Sequence, residues 1–420
     1  MKLLVFAHRL ELGGTQTNAI ELAAALRDRH GFDIVFHATP GPMEALLKEK
    51  GLSLVAAPDS RFHPSYSRMR TLRDIVRDER PDLIHAWDWW QGLEAYLGAY
   101  LPLKVPLLIS DMMMNLTRVL PKGVPTTFGF RGLQQEAIQK GWQKAWLLPP
   151  PVDVTGNAPG LPCEKTARAQ LGLQPHCLAL VTVSRLSHVM KSENIFHTIE
   201  AVRHIGGDVP IQFVIVGDGA ARPEIERQAK AANTALGRQA VILTGALADP
   251  RPAYAAADIV LGMGGSALRG MAFGKPVIVT GEKGFARPFC PQSAETFETT
   301  GFYGVGRDDG ETYHLENMIR GLARDSLLRG AIGAFGQDYV NRNHALEELS
   351  GKLAKYCEEA ATVSPGLPVA DVTRSSFYYF RDRRFKTASR DRRADKDGQG
   401  KKSSARSISN GSTPDSTEFS

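Results

Sequence analysis

Short apolar runs alternate with amphipathic segments along the chain. LLVFA at 3–7 precedes a Gly-Gly turn and TNAIELAAALRDR, where Ile20, Leu22, Ala23 and Leu26 recur at helical spacing. FDIVFHA at 32–38 is the next strand, and PMEALLKEKG is a helix closed by Gly51. LSLVAAP, MRTLRDIVRDERP, DLIHAW, GLEAYLGAYL and PLLISD continue the alternation. WLLPPPVDV brings a strand to a proline-rich stop, and a second series begins with LALVTVSRL at 178–186. NIFHTIEAVRHIG, IQFVIVGDG, RPEIERQAKAAN, AVILTGA, PAYAAADIVLG, SALRGMAFG and PVIVTGE follow in turn. Helices at about 311–326 and 338–361 close the body. Strands separated by single helices predict parallel, doubly wound α/β sheets. The expected division is one Rossmann-like domain over 1–150, a linker over 149–163 and a second such domain over 164–337. A helix over 338–362 is expected to return toward the first domain.

From about Arg381 the pattern stops. Residues 381–420 are rich in Ser, Gly, Lys, Arg and Asp and almost lack aliphatics, so they are expected to be disordered. This tail changes how the net charge of +6 is read. From residue 361 onward there are 12 Lys/Arg against 7 Asp/Glu, which leaves a body of net +1. A nearly neutral body carries no electrostatic footprint for nucleic acid, so no nucleic-acid partner is expected. The tail, with SSFYYF at 375–380 beside it, is read as solvated or as a peripheral contact to an anionic membrane. No run of about 18 apolar residues exists, and the apolar start breaks at His8 and Arg9, so neither a spanning helix nor a signal peptide is expected. Four cysteines without a CxxC pair fit a cytoplasmic protein and argue against a cysteine-based metal site.

In doubly wound sheets ligands bind beyond the carboxyl ends of the strands, so the residues there carry the chemistry. Gly13-Gly14 opens the first helix but is not a GxGxxG fingerprint, and it reads equally well as a plain turn. His85 and Asp111 end two strands; each is either a site residue or a strand-end polar group. Arg185 and Lys191 lie after the first strand of the second series, where two cations suit a diphosphate. Gly217 sits in a Gly-Asp-Gly turn. Gly262-Met263-Gly264-Gly265-Ser266, running into Ala267, Leu268 and Arg269, offers free N–H groups and a hydroxyl at a helix start. It lacks the Gly-Lys-Ser/Thr of a P-loop. No DxD-like pair at a strand end calls for a metal ion, so neither metal nor cofactor is expected.

Taken in order, VSRLSHVMKSENIFHTIEAV, VIVGDGAARPEIE, VILTGALADPRPAYAAADIVLGMG and ALRGMAFGKPVIV resemble the C-terminal half of the family-4 retaining glycosyltransferases. GGTQTNAIELAAAL and LLPPPVDV fit the same pattern, and the resemblance covers roughly residues 1–360. It implies the GT-B fold, with two facing Rossmann-like domains and an interlobe cleft. It implies a nucleotide-sugar donor, an acceptor of unknown kind (glycan, lipid or small molecule) and retention at the anomeric carbon. Arg185 and Lys191 then match the basic pair on the donor diphosphate. Gly13 and Gly14 match the glycine loop, and Gly262, Gly264, Ser266, Ala267 and Leu268 match the loop and helix start under the donor. The family's active-site histidine usually follows the strand after that of His85, where this chain has Asp111.

One departure stands out. The family usually carries two glutamates spaced E-x7-E, and here Leu261 and Arg269 occupy those positions. Neither side chain can accept a hydrogen bond from a sugar hydroxyl. Glu282, after the next strand, is a candidate substitute carboxylate and a candidate partner for Arg269. Two rivals to a transferase follow: a nucleotide-sugar epimerase, disfavoured by the missing carboxylates, and a non-catalytic nucleotide-sugar binder or scaffold.

Overall fold

A computed structural model describes residues 1–60, 62–188, 190–306, 315–366 and 369–381. Seven strands form the first sheet: β1 (Lys2–Phe6), β2 (Asp33–Ala38), β3 (Leu54–Ala56), β4 (Leu83–Trp87), β5 (Leu107–Asp111), β6 (Thr126–Phe128) and β7 (Ala145–Leu147). Their spatial order is β3-β2-β1-β4-β5-β6-β7, and every pairing is parallel. The second sheet holds β8 (Leu178–Val183), β9 (Ile211–Val216), β10 (Val241–Gly245), β11 (Ile259–Gly262), β12 (Val277–Thr280) and β13 (Ala286–Pro288). Its order is β10-β9-β8-β11-β12-β13, parallel except for the antiparallel edge strand β13. Chain order reverses direction between β1 and β4 in one sheet and between β8 and β11 in the other. These are the two topological switch points, where crevices open at the strand ends.

The near-continuous apolar runs of the strands follow from burial on both faces. Along β8 and β9, Ala179, Val181, Val214 and Val216 pack into one core, while Leu180, Phe213 and Ile215 pack into the other. The first helix, Gly14–His30, buries Ile20, Ala23 and Leu26 on the first sheet and ends at Gly31, whose N–H bonds the Leu26 carbonyl. Its last turn carries Arg27, Arg29 and His30, which suit the negative end of the helix dipole.

The chain crosses between the sheets twice, and the crossings bond each other. Val152 N–H donates to His344 O at 2.7 Å, and Leu346 N–H donates back to Val152 O at 2.9 Å. The expected single helix over 338–361 is therefore two, Ser326–Asn343 and Leu346–Ala361, broken where this bridge needs extended backbone. Leu346–Ala361 lies on Gly14–His30 and adds Leu349, Leu353 and Cys357 to the core of the first sheet. Helices Arg131–Gln139 and Ala294–Thr300 pack together, with Arg131 3.0 Å from Glu298. These two helices, the helix Glu164–Gln170 and the three-residue strands β6 and β13 are absent from the sequence reading. A three-residue strand is too short to show a period.

Among the described residues, a second compact unit brings 118–121 together with 369–381. In it a helix over 369–381 includes SSFYYF, and the Arg374 guanidinium donates to the carbonyls of Arg118 and Leu120 at 2.6 and 2.5 Å. Phe377 and Phe380 on this helix are more than 60% exposed. The expected disorder over 381–420 lies outside the described residues apart from Arg381. Among the described residues no helix is long and apolar enough to cross a membrane.

Candidate functional site

The switch point of the second sheet carries the expected cations. The loop after β8 holds Arg185, which is exposed, and Lys191, which is half-buried at the start of the helix Ser192–Ile205. Lys191 lines a small cavity with Thr182, Ser184, Asn194, Gly262, Met263 and Ser266. Burial and the charge on Arg185 hold its ammonium down to about 8. Neither cation has an ion-pair partner among the described residues, so both are open to an anion. Gly217 does not face this cavity. A β-carbon there would meet the Ser184 carbonyl oxygen at 1.8 Å, and φ of 147° suits glycine alone. Its part is to let the turn after β9 pack under the loop that carries Arg185, where Leu186 N–H bonds Asp218 O at 2.9 Å.

The loop after β11 closes the other side. Gly264 caps the helix Gly265–Ala272 at φ 53° and ψ −129°, a conformation for glycine, and no side chain satisfies the helix's first N–H groups. Ser266 Oγ accepts from Met263 N–H at 3.2 Å, which folds the loop back on the helix start. Ala267 and Leu268 are fully buried, so only their backbone can serve a ligand. Leu261 is a core residue of β11 and also walls the cavity.

Arg269 is half-buried and leans back along its helix, as side chains on helices do. Its Nη1 lies 3.6 Å from where a β-carbon on Gly265 would sit. The acid that feels its charge is Glu21, on the first helix of the other lobe. Burial pushes the Glu21 carboxyl up, Arg269 and Lys50 oppose that, and Glu21 Oε2 is buried without a hydrogen-bond partner. Glu282, the acid expected beside Arg269, instead receives the hydroxyl of Tyr303, which it helps push above the usual phenol range.

At the first sheet the outcome is mixed. His85 sits within β4 rather than at its end; it is buried, with Nε2 2.7 Å from Ser110 Oγ. Burial without a countercharge pushes its imidazole down to about 3, so it is a neutral core group and lies off the ligand edge. Asp111 does end β5 at that edge. It is fully buried, and desolvation followed by the charge on Asp88 pushes it up to about 7. Gly13 and Gly14 open the first helix, whose first turn has no acidic residue and no side-chain cap. Sequence reasoning missed His8 and Asp88, which flank this switch point with a 2.8 Å contact between His8 Nε2 and Asp88 Oδ2. Their spacing of 80 residues gives no signal; the adjacency of β1 and β4 alone brings them together.

Family models match both lobes. One for glycosyltransferase family 4 covers residues 12–111, and one for group 1 glycosyl transferases covers 178–323. The chain belongs to the family-4-like glycosyltransferases of the GT-B fold. Among curated proteins none matches the sequence. Solved structures agree on the fold. A glycosyltransferase from Rickettsia africae is similar at TM-score 0.68 and 16% identity, over 86% of this chain and 99% of that one. HepE from Anabaena, crystallised with UDP-glucose, is similar at 0.67 and 18%, over 86% and 100%. A UDP-GlcNAc 2-epimerase from Neisseria meningitidis, bound to UDP-GlcNAc, shares the architecture at 0.59 and 12%, over 86% and 100%. This glycosyltransferase thus has a fold that also hosts other nucleotide-sugar chemistry, and its own chemistry must be argued from its residues.

Proposed function

We propose that the enzyme moves a sugar from a UDP-sugar to a hydroxyl of a glycan, lipid or small molecule, with retention at the anomeric carbon and without a metal ion. The observation that carries this reading is Lys191, a half-buried cation with no carboxylate partner among the described residues, lining one cavity with the uncapped helix start at Gly264–Ser266. Departure of a nucleoside diphosphate concentrates negative charge on its oxygens. Cations and helix N–H groups fixed in advance stabilise that charge with little reorganisation. Arg185, exposed at the mouth of the same loop, adds a second positive charge. HepE, a fold neighbour, binds UDP-glucose, which makes uridine the first base to test.

The test is a thermal-shift panel of UDP-, GDP- and ADP-sugars, followed by measurement of nucleoside diphosphate release. A UDP-sugar that raises the melting temperature and yields UDP supports the proposal; no shift with any of them overturns it. The replaced motif glutamates favour a second reading, a non-catalytic binder, because neither Leu261 nor Arg269 can accept a hydrogen bond from a sugar hydroxyl, and the charge of Arg269 is felt by Glu21. Saturable binding with no UDP release under any acceptor mixture would establish that reading instead.

A further inference from the structure

The second compact unit turns aromatic side chains outward, and neither the basic loop nor the family pattern uses them. Its helix over 369–381 is held by one face, where Asp371 and Ser375 are buried. On that side Arg374 donates to the carbonyls of Arg118 and Leu120 at 2.6 and 2.5 Å and to Asp371 Oδ1 at 3.2 Å. These bonds fix the rotation of the helix. Val369, Thr373, Ser376, Phe377 and Phe380 are exposed, and their positions i, i+4, i+7, i+8 and i+11 form a single stripe on the opposite face. Thr373 Oγ1 donates to Val369 O at 2.9 Å, so the hydroxyl in the middle of the stripe is satisfied within the helix. Phe377 and Phe380 stand three residues apart at the end of the stripe, 63% and 68% exposed. A single exposed apolar residue is ordinary on a protein surface, whereas large rings gathered on one face mark a place of contact.

Positive charge begins where the aromatic residues end. Arg381 lies over the Tyr378 ring, 4.6 Å from its centre. From Arg381 to Lys396 the sequence carries eight Lys/Arg against three Asp, whereas the rest of the chain before residue 361 is nearly neutral. We propose that the exposed face of this helix docks on an anionic lipid bilayer, with Phe377 and Phe380 entering the headgroup region and the Lys and Arg residues that follow supplying the attraction to its surface charge. A protein groove would answer the rings alone; a bilayer with anionic headgroups answers the rings and the charge together. One such signal gives marginal, reversible attachment, and two acting together hold a protein at the surface. Tyr378 and Tyr379, half-buried on the same helix, suit the headgroup level, where amphipathic rings collect. Among the described residues no helix is long and apolar enough to cross a membrane, so the contact proposed is peripheral. The inference needs neither a nucleotide nor turnover, and it stands or falls apart from the transferase reading.

The experiment is co-sedimentation of the full chain with vesicles of phosphatidylcholine, with and without phosphatidylglycerol, at low and high salt. The wild type is compared with Phe377→Ser, Phe380→Ser and the double variant. Leu327→Ser is the control, since Leu327 is an exposed apolar residue at 86% on the helix Ser326–Asn343. The wild type should bind the anionic vesicles, and it should bind less at high salt and less to phosphatidylcholine alone. Each Phe→Ser change should weaken binding to the anionic vesicles about tenfold, the factor expected when one large apolar side chain no longer leaves water. Leu327→Ser should bind as the wild type does. Both Phe rings are exposed, so their loss should leave the melting temperature unchanged. A fall in melting temperature would show that the rings pack inside the protein, which overturns the proposal. So would a wild type that ignores anionic vesicles, or Phe variants that bind them as tightly as the wild type and so report charge alone. Sedimentation velocity without lipid covers the remaining occupant: self-association of the wild type that the double variant abolishes would assign the stripe to a second copy and overturn the membrane contact.

Discussion

Lys191 makes a trade between stability and binding that can be measured without knowing the acceptor. Its ammonium is held down to about 8 from 10.5, first by desolvation and then by Arg185. At about 1.4 kcal/mol per tenfold change in proton affinity, that displacement puts the cost of keeping it charged in the fold on the order of 3 kcal/mol. At pH 7 the residue is charged both folded and unfolded, so the empty enzyme carries that whole cost. Between about 8 and 10.5 the folded protein has released a proton that the unfolded chain still holds. The unfolded state then binds more protons, and unfolding free energy rises with pH through that window. Lys191→Met, which keeps the volume and removes the charge, should therefore stabilise the ligand-free enzyme at pH 7 by up to about 3 kcal/mol. It should also flatten the alkaline rise. The same change should weaken UDP binding and slow diphosphate release, at roughly 2–4 kcal/mol in the transition state. Urea unfolding at pH 7, 8.5 and 10, paired with UDP calorimetry, reads both sides. A variant that is no more stable than the wild type and binds UDP as tightly would refute the reasoning on both counts.

Three further expectations follow from the same geometry. Stability should fall on acidification from about pH 6.5, because His37 and His344, held down to about 4, and His85, held down to about 3, are neutral in the fold and take up protons when the chain unfolds. Asp111, pushed up to about 7, contributes with the opposite sign, so the check is the reduced acid slope of His344→Asn in urea titrations, and an unchanged slope would refute it. Arg269→Glu should set a carboxylate against Glu21 and destabilise the enzyme, and adding Glu21→Gln should recover part of the loss, with a coupling of about 0.5–3 kcal/mol in a double-mutant cycle. Strict additivity would separate the two residues. Deleting 382–420 should leave the melting temperature and UDP release unchanged while weakening binding to anionic vesicles, to which each clustered Lys or Arg contributes about 1 kcal/mol. A lower melting temperature would show that the segment packs.

Much of the fold is legible in the sequence because the sheets are buried on both faces. Runs such as LALVTV and IQFVIV are apolar but for one residue each, and Pro210 and Gly217 mark the ends of the second, so strand positions can be read without knowing their neighbours. What resists reading is whatever depends on partners far away. The break at His344 is set by hydrogen bonds to Val152 and Pro150, almost two hundred residues earlier, and nothing local in NRNHALEEL announces it. His85 fails for a related reason: its position near the end of DLIHAW suggests the ligand edge, but the strand runs on to Trp87 and encloses it. Arg269 shows both sides. Its lean toward Gly265 follows from helix geometry alone, whereas its acid, Glu21, comes from the other lobe.

The two switch points show why reading strand ends in sequence finds one half of this site more readily than the other. In the second sheet the ligand-facing groups sit in a basic loop directly after β8 and a glycine-rich loop directly after β11, and cations or glycines next to a strand end are themselves a signal. Each of those loops can be recognised alone, and the cavity follows once β8 and β11 are adjacent. In the first sheet the groups are ordinary residues, one histidine and one aspartate, whose meaning exists only as a pair. Adjacency of β1 and β4 makes that pair, and the left-handed turn at Asp88 aims it. Holding a diphosphate is a common task, and the common task leaves a common pattern. His8 and Asp88 lie 80 residues apart in the chain, so no spacing announces them, and a structure is needed to place them together.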